Sequence, residues 1–262
     1  MITAKDATIK YSQEGINKVS LSLGKMLFMS IMAGMFIALA GSASTIASAT
    51  IENPSLAKLV TSLVFPAGLA MVIVNGSELF TGNNLMIISV LDRRISILPM
   101  LRNWIVVYLG NILGSFLVTG LFTWGHVYSL FDNAVAKSVI NIAATKTDLG
   151  FQEAFIRGIL CNILVCVAVM MAQTAENTAG KIALLYLPIF VFVLCGLEHS
   201  VANMSYISSG LFANMEYGNM GIDVSCLTWY NFFVGNLLPV TLGNIVGGCV
   251  TGTAYWITSK DK

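Results

Sequence analysis

The segment Gly196-Leu197-Glu198-His199-Ser200-Val201-Ala202-Asn203 decides how the whole chain is read. It follows the apolar run 182–195 and puts a carboxylate and an imidazole side by side at membrane depth. An ionisable group there costs about 2.5–3.5 kcal/mol on insertion scales and by default marks a functional site. Upstream, Gly76-Ser77-Glu78-Leu79-Phe80-Thr81-Gly82-Asn83 follows a second apolar run, 59–74. Both segments read Gly-x-Glu, and both place an asparagine seven residues after the glycine. Polar, glycine-opened interruptions at matching places in two halves predict a pair of broken helices that meet at the bilayer midplane.

Composition agrees with that setting. Of the 262 residues, 56% are hydrophobic and 10% charged, against roughly 45–50% and 25% in soluble domains. The chain reads as a membrane protein. A formal net charge of +1, with no basic run, lacks the footprint of nucleic-acid binding. The five cysteines, at 161, 166, 195, 226 and 249, fall in or beside apolar stretches without a CxxC pair. They read as buried small hydrophobes, not as a disulfide framework or metal site. There is no HExxH, no phosphate loop and no serine–histidine–acid spacing, so no catalytic residue, metal or cofactor is expected. Asn53-Pro54 is not followed by alanine, so the paired Asn-Pro-Ala of water channels is missing. Residues 1–24 lack the apolar core of a signal peptide, and the first long apolar stretch has no cleavage site. It is expected to stay as a span.

Residues 1–24 read as a cytoplasmic N-terminal amphipathic helix lying at the interface, with Ile9, Ile16, Val19 and Leu23 spaced between Lys5, Lys10, Glu14 and Lys18. Residues 25–262 are expected to form a single transmembrane domain. Its first span is 25–49. The second begins near 58, breaks at 75–84 and resumes as 85–91. The third is 99–124, followed by a polar loop at 125–149, and the fourth is 150–174. The fifth is the run 182–195, broken by the opening segment and resumed at 204–212. A loop at 213–226 leads to the sixth, 227–258. Leu109-Gly110-Asn111-Ile112-Leu113-Gly114 in span three nearly recurs as Leu242-Gly243-Asn244-Ile245-Val246-Gly247 in span six. With the Gly-x-Glu echo, this predicts an all-α membrane protein of six spans, built from two inverted three-span repeats with spans two and five broken.

Six crossings put both termini on one side, together with Lys5, Lys10, Lys18, Lys25, Arg93, Arg94, Arg102, Lys181, Lys260 and Lys262. The other side receives Lys58, Lys137, Lys146 and Arg157. The excess places the termini in the cytoplasm.

His199 is the first functional candidate. A neutral imidazole at the midplane offers one N–H to hold a small anion, or a proton to pass to it, and it is the only side chain of the two breaks whose ordinary range lies near neutral pH. The plain alternative is a histidine bonded to a loop carbonyl. Thr81 and Ser77 bring hydroxyls to the first break, Ser77 equally well as a helix cap. Leu79 and Phe80, with Phe65 and Leu69 upstream, serve either as packing or as apolar constrictions. Glu78 and Glu198, with Asn83 and Asn203, read as support for the broken backbone, or as partners of a neighbouring subunit. Half-helix N-termini after the breaks direct positive dipole ends inward and favour an anion.

At this point the sequence resembles the formate–nitrite transporter family over almost its whole length. The resemblance rests on four segments in order: 73–82 (Ile-Val-Asn-Gly-Ser-Glu-Leu-Phe-Thr-Gly), 157–165 (Arg-Gly-Ile-Leu-Cys-Asn-Ile-Leu-Val), 196–204 around His199, and 239–248 (Pro-Val-Thr-Leu-Gly-Asn-Ile-Val-Gly-Gly). It implies an aquaporin-like six-span protomer, assembled as a homopentamer in the inner (plasma) membrane with one pore per protomer. It also implies that His199 and Thr81 share a chamber between two apolar constrictions. Leu79 and Phe80 match the loop-side constriction, with Phe192 and Val165 contributing, and Phe65 and Leu69 match the cytoplasmic side. Asn162 matches a polar residue near the chamber. Lys146 matches a lysine that attracts anions from outside, and Lys18 one near the inner vestibule. The family passes formate, nitrite, hydrosulfide and other small monocarboxylates, and the chain looks closest to its hydrosulfide branch. A neutral-solute pore of the water or ammonia type, and a membrane-embedded enzyme using Glu198 and His199 as acid and base, stand as alternatives.

Overall fold

In the computed structural model, which describes residues 1–260, the chain is all helical. Lys262 of the charge count and the last two residues of the expected channel domain lie outside the described residues. In chain order the helices are α1 (Ala4–Ser20), α2 (Leu23–Ser48), α3 (Pro54–Val64), α4 (Ala67–Asn75), α5 (Phe80–Asn83) and α6 (Ile87–Leu91). They continue as α7 (Ile97–Trp124), α8 (Ala134–Thr147), α9 (Phe151–Thr174), α10 (Thr178–Leu194), α11 (Ser200–Tyr217) and α12 (Leu238–Ser259). A 3₁₀ turn, Asn84–Met86, joins α5 to α6, and a π-helical stretch, Asn231–Leu237, leads into α12.

Among the described residues five stretches are long and apolar enough to cross a bilayer: Leu23–Ser48, Pro54–Asn75, Ile97–Trp124, Phe151–Thr174 and Asn231–Ser259. The fifth span in sequence order is α10, an apolar helix of 17 residues that is shorter than these five, and α11 follows it after the break. The outward faces carry Phe28, Leu98, Ile105, Leu121 and Trp124, all more than half exposed. That surface suits lipid, and the chain is a multi-pass membrane protein.

The two halves match element for element. In the first, α1 precedes α2, the broken span α3–α6 and α7. In the second, α8 precedes α9, the broken span α10–α11 and α12. The sequence echo in spans three and six has a steric cause. A Cβ on Gly114 would collide with the Ile31 carbonyl of α2, and one on Gly247 with the Ile159 carbonyl of α9. Each glycine lets its helix sink onto the backbone of its partner. Between α7 and α12, the Tyr108 hydroxyl and Thr241 Oγ1 share a hydrogen bond of 2.9 Å.

Several sequence expectations are corrected. The stretch 125–149 is not a loop throughout. It contains α8, whose Val135, Ala136, Val139, Ile140, Ala143 and Ala144 are buried. Their helical spacing was masked by the polar residues between them. The first break is shorter than 75–84, because the helix restarts at Phe80. The second restart is at Ser200, four residues before the expected 204. On α1 the docked face is Ala7, Thr8, Tyr11, Ser12 and Gly15, while Ile9 is exposed. Gly15 allows this approach, since a Cβ there would meet Ser89, and the Tyr11 hydroxyl donates to the Gly82 carbonyl at 2.9 Å. The helix starts in a capping box between Thr3 and Asp6. Of the five free cysteines, Cys161 and Cys166 are buried, but Cys195 is exposed and Cys226 and Cys249 are half-buried.

Candidate functional site

Both breaks are built the same way. Gly76 and Gly196 each have φ of +67°, a left-handed geometry that glycine adopts without a Cβ penalty. The chain then runs extended to the next half-helix. Backbone groups freed at membrane depth must find partners within the protein, and one asparagine serves each break. Asn111 of α7 accepts from Phe80 N (3.0 Å) and donates to the Glu78 and Ser30 carbonyls (3.0 and 2.7 Å). Asn244 of α12 accepts from Ser200 N (2.8 Å) and donates to the Glu198 and Gly158 carbonyls (3.0 and 2.8 Å).

The glutamates follow the same plan. Glu78 takes Lys18 Nζ at 2.6 Å and Asn83 Nδ2 at 2.7 Å, and Asn83 also donates to Asn103. Glu198 takes Lys146 Nζ on both oxygens (2.8 and 2.9 Å) and Asn203 Nδ2 at 2.5 Å, and Asn203 also donates to Asn236. Both carboxylates are buried, at 3% exposure, and buried ion pairs hold only with such additional hydrogen bonds. Their partner in this structure is a lysine of the same chain. Asn103 and Asn236 were not singled out in the sequence. The signal was present, because each stands eight residues before its break-capping asparagine, Asn111 or Asn244. Asn236 sits in the π-helical stretch and also donates to the Lys146 carbonyl.

Between the breaks, Thr81 Oγ1 and His199 Nε2 meet at 2.8 Å, both buried. His199 is also the N-cap of α11, its Nδ1 accepting from Ala202 N at 3.0 Å. A nitrogen that accepts carries no proton, so the proton of the neutral ring lies on Nε2. Nε2–H therefore donates to the threonine oxygen. The Thr81 hydroxyl proton has no acceptor among the described residues and remains available.

A cavity opens on each side of this pair. One, of ≈ 320 Å³, is lined by Lys10, Lys18, Glu78, Leu69, Leu79 and Lys181 among others. The other, of ≈ 510 Å³, is lined by Lys58, Phe65, Lys146, Arg157, Phe192, Glu198 and His199 among others. Phe192 and Leu69 lie on the sides expected of them, but Phe65 and Leu79 have changed places. Phe65 belongs with Phe192 on the Lys146 side, their rings edge to face at 5.6 Å. Leu79 belongs with Leu69 on the Lys18 side. The reason is local pairing: Glu78, next to Leu79, is held by Lys18 of α1 on that side, whereas the Phe65 ring is held by Phe192 on the other. Phe80 lines neither cavity and packs edge-on against Tyr108, at 4.9 Å, and Trp104, at 6.2 Å. Val165 is buried on α9, also outside both linings. Asn162 is a fastener behind the pair: its amide donates to the Asn244 carbonyl (2.6 Å) and Asn84 Oδ1 (2.8 Å), and reaches the Thr81 carbonyl (3.3 Å). Among the described residues no group of side chains is arranged to hold a metal ion.

Comparison with known proteins agrees with this architecture. The profile of the family described as Formate/nitrite transporter matches residues 5–257. A probable formate transporter of Methanothermobacter thermautotrophicus is 38% identical over 260 residues, covering 92% of this chain and 91% of that protein. Among solved structures, an FNT family ion channel superposes with a TM-score of 0.85 at 32% identity, covering 97% of this chain and 98% of that one. A pentameric formate channel with formate bound gives 0.79 at 33% identity, covering 90% and 97%. The paired breaks, the six spans and these likenesses have one conclusion: the chain belongs to the formate/nitrite transporter family, a family of channels and not of enzymes.

Proposed function

We propose that the protein conducts small monovalent weak-acid anions through a pore in each protomer of a homopentamer, passing the Thr81–His199 pair. The observation that carries this reading is the buried pair itself, lying between two cation-bearing cavities and flanked by apolar residues. Leu69 and Leu79 narrow one side and Phe65 with Phe192 the other, excluding hydrated ions by dewetting. Formate is the substrate to test first, because a structural neighbour holds it. The hydrosulfide preference read from overall resemblance is attached to no particular side chain. Both termini and the Lys18 cavity face the cytoplasm of an inner (plasma) membrane, following the lysine and arginine excess.

In this reading the Thr81 hydroxyl donates to the anion, and His199 holds it in that orientation. The role of the histidine differs from a proton source. Giving up Nε2–H would require Nδ1 to gain a proton and release the Ala202 N–H, uncapping α11. The anion then takes any proton it carries from water.

Influx into proteoliposomes of formate, nitrite, acetate and hydrosulfide, measured from pH 5 to 8, tests both parts. Thr81→Val should lower formate flux by about tenfold or more, the worth of a hydrogen bond to a charged group. His199→Phe should lower flux at every pH while the profile keeps its shape. A parent profile whose inflection vanishes in His199→Phe would make the histidine the proton source. Entry of neutral solutes alone would replace the anion reading with that of a neutral pore.

A further inference from the structure

The Lys146-side cavity has three cationic side chains in its wall, Lys58, Lys146 and Arg157, and one carboxylate, Glu198. Two of the cations are committed. Lys146 gives hydrogen bonds to both oxygens of Glu198, and Arg157 pairs with Glu153 one helical turn away. Glu198 is saturated in turn, since Asn203 also donates to it. Lys58 differs from both. Among the described residues its ammonium has no hydrogen-bond or ion-pair partner.

Its position is specific. Lys58 rises from the second turn of α3 and reaches the break that positions His199. A Cβ added to Gly196 would lie 3.9 Å from Lys58 Nζ. Below it stand Phe65 and Phe192, and the Phe192 ring stacks on His199 at 5.8 Å between centroids. An anion must shed water to pass aromatic walls of this kind. An unpaired ammonium above them raises the local anion concentration while the anion is still hydrated.

We infer that Lys58 is an anion station in this cavity, holding small monovalent anions of the carboxylate or nitrite class ahead of the Phe65–Phe192 narrowing. The inference rests on the transport reading above and assigns the attraction to Lys58; Lys146 serves to hold Glu198. A phosphate group of a lipid offers similar chemistry to a lysine near a membrane surface, so the test separates the two sources.

The parent, Lys58→Gln and Lys58→Arg are reconstituted in vesicles of phosphatidylcholine alone and with added phosphatidylglycerol, and formate influx is followed against concentration at low and high salt. Lys58→Gln should raise the half-saturating formate concentration by about 3- to 10-fold at low salt, the effect of one charge across a few ångströms of wet cavity. The gap should close at high salt, maximal flux should hold, and Lys58→Arg should stay near the parent in both vesicles. Unchanged half-saturation in Lys58→Gln overturns the station. An effect confined to the phosphatidylglycerol vesicles makes Lys58 a lipid anchor. Equal impairment of the Arg and Gln variants makes the lysine stem, not its charge, the active feature.

Should the parent admit none of the anions, the transport reading fails, and the station is judged separately by labelling. Cys195 is exposed beside Gly196. In a background with both Cys226→Ser and Cys249→Ser, its rate with an anionic thiol reagent relative to a cationic one should fall several-fold in Lys58→Gln. An unchanged ratio rejects the station.

Discussion

The two breaks share a scaffold and differ at their centres. Lys18–Glu78–Asn83–Asn103 around Asn111 is matched, residue type for residue type, by Lys146–Glu198–Asn203–Asn236 around Asn244. The residue after each glutamate is where they part. The first half has Leu79, which caps α5 without a side-chain hydrogen bond, and the second has His199, which caps α11 through Nδ1. Asn162 is a second difference, and it too stands behind the centre. The shared residues secure a discontinuous backbone in a medium without water. In the proposed function two of the unshared ones, Thr81 and His199, supply what meets the solute.

The largest way to break this comparison is to remove a lysine. Lys18→Ala and Lys146→Ala each strand a buried carboxylate, and each should cost about 3–5 kcal/mol, read as a lowered unfolding midpoint in detergent. Similar losses would sharpen the equivalence of the halves. Coupling the Lys18 change to Glu78→Gln should recover part of the loss, because the uncompensated charge is gone. A loss in one half only would show that the matching networks carry unequal load.

A smaller effect isolates the centre. His199→Asn keeps an acceptor at the N-cap, whereas His199→Phe does not, so the Phe variant should be less stable by about 1 kcal/mol. Equal midpoints for the two variants would remove the cap from the account of why histidine stands there.

The smallest effect lies where α1 is tied to the end of the first broken span. Asp92 accepts from Ser12 Oγ (2.6 Å), Trp256 Nε1 (2.7 Å) and Lys260 Nζ (2.6 Å). Burial alone would raise its carboxyl, but the bonds from Lys260, Ser12 and Trp256 outweigh it and hold the group below the usual aspartate range. A lowered folded value means the tie is complete above the ordinary range, about pH 4, and is lost as pH falls through the folded value. Protease protection of α1 should therefore decline on acidification and that of α8 should not, with Asp92→Asn removing the difference. An α1 that stays protected throughout would mean that Tyr11 and Lys18 suffice to hold it.

The broken spans were legible because buried charge and paired glycines in a long apolar run admit few readings. The Leu-Gly-Asn echo was legible for the same reason: close backbone approach tolerates only glycine, so the pattern survives in both halves. What stayed hidden depends on tertiary direction. Phe65 and Leu69 are four residues apart on one broken span, yet they face opposite cavities across the kink at Pro66. The apolar face of α8 is short and made largely of alanine and valine, a weak signal beside Lys137 and Lys146. The apolar side chains of α1 point to Ile9, Ile16, Val19 and Leu23, whereas the docked face is Tyr11 with the small Ala7, Thr8, Ser12 and Gly15. Lys58 enters the sequence reading only through the charge count, because nothing local says that its ammonium lacks a partner.

The hydrogen bond between Tyr108 and Thr241 has a bearing on descent. The two positions correspond, each three residues before a break-capping asparagine, so their contact marks the pseudo-twofold axis relating the halves. In a symmetric dimer of half-length chains, a residue at the axis would touch its own copy, and any substitution would enter twice. Two tyrosines would crowd that point and two threonines would leave it slack. Joining the halves in one polypeptide removes the constraint: one side is free to grow as the other shrinks. The same release lets a leucine, Leu79, and a histidine, His199, occupy matching places at the two breaks.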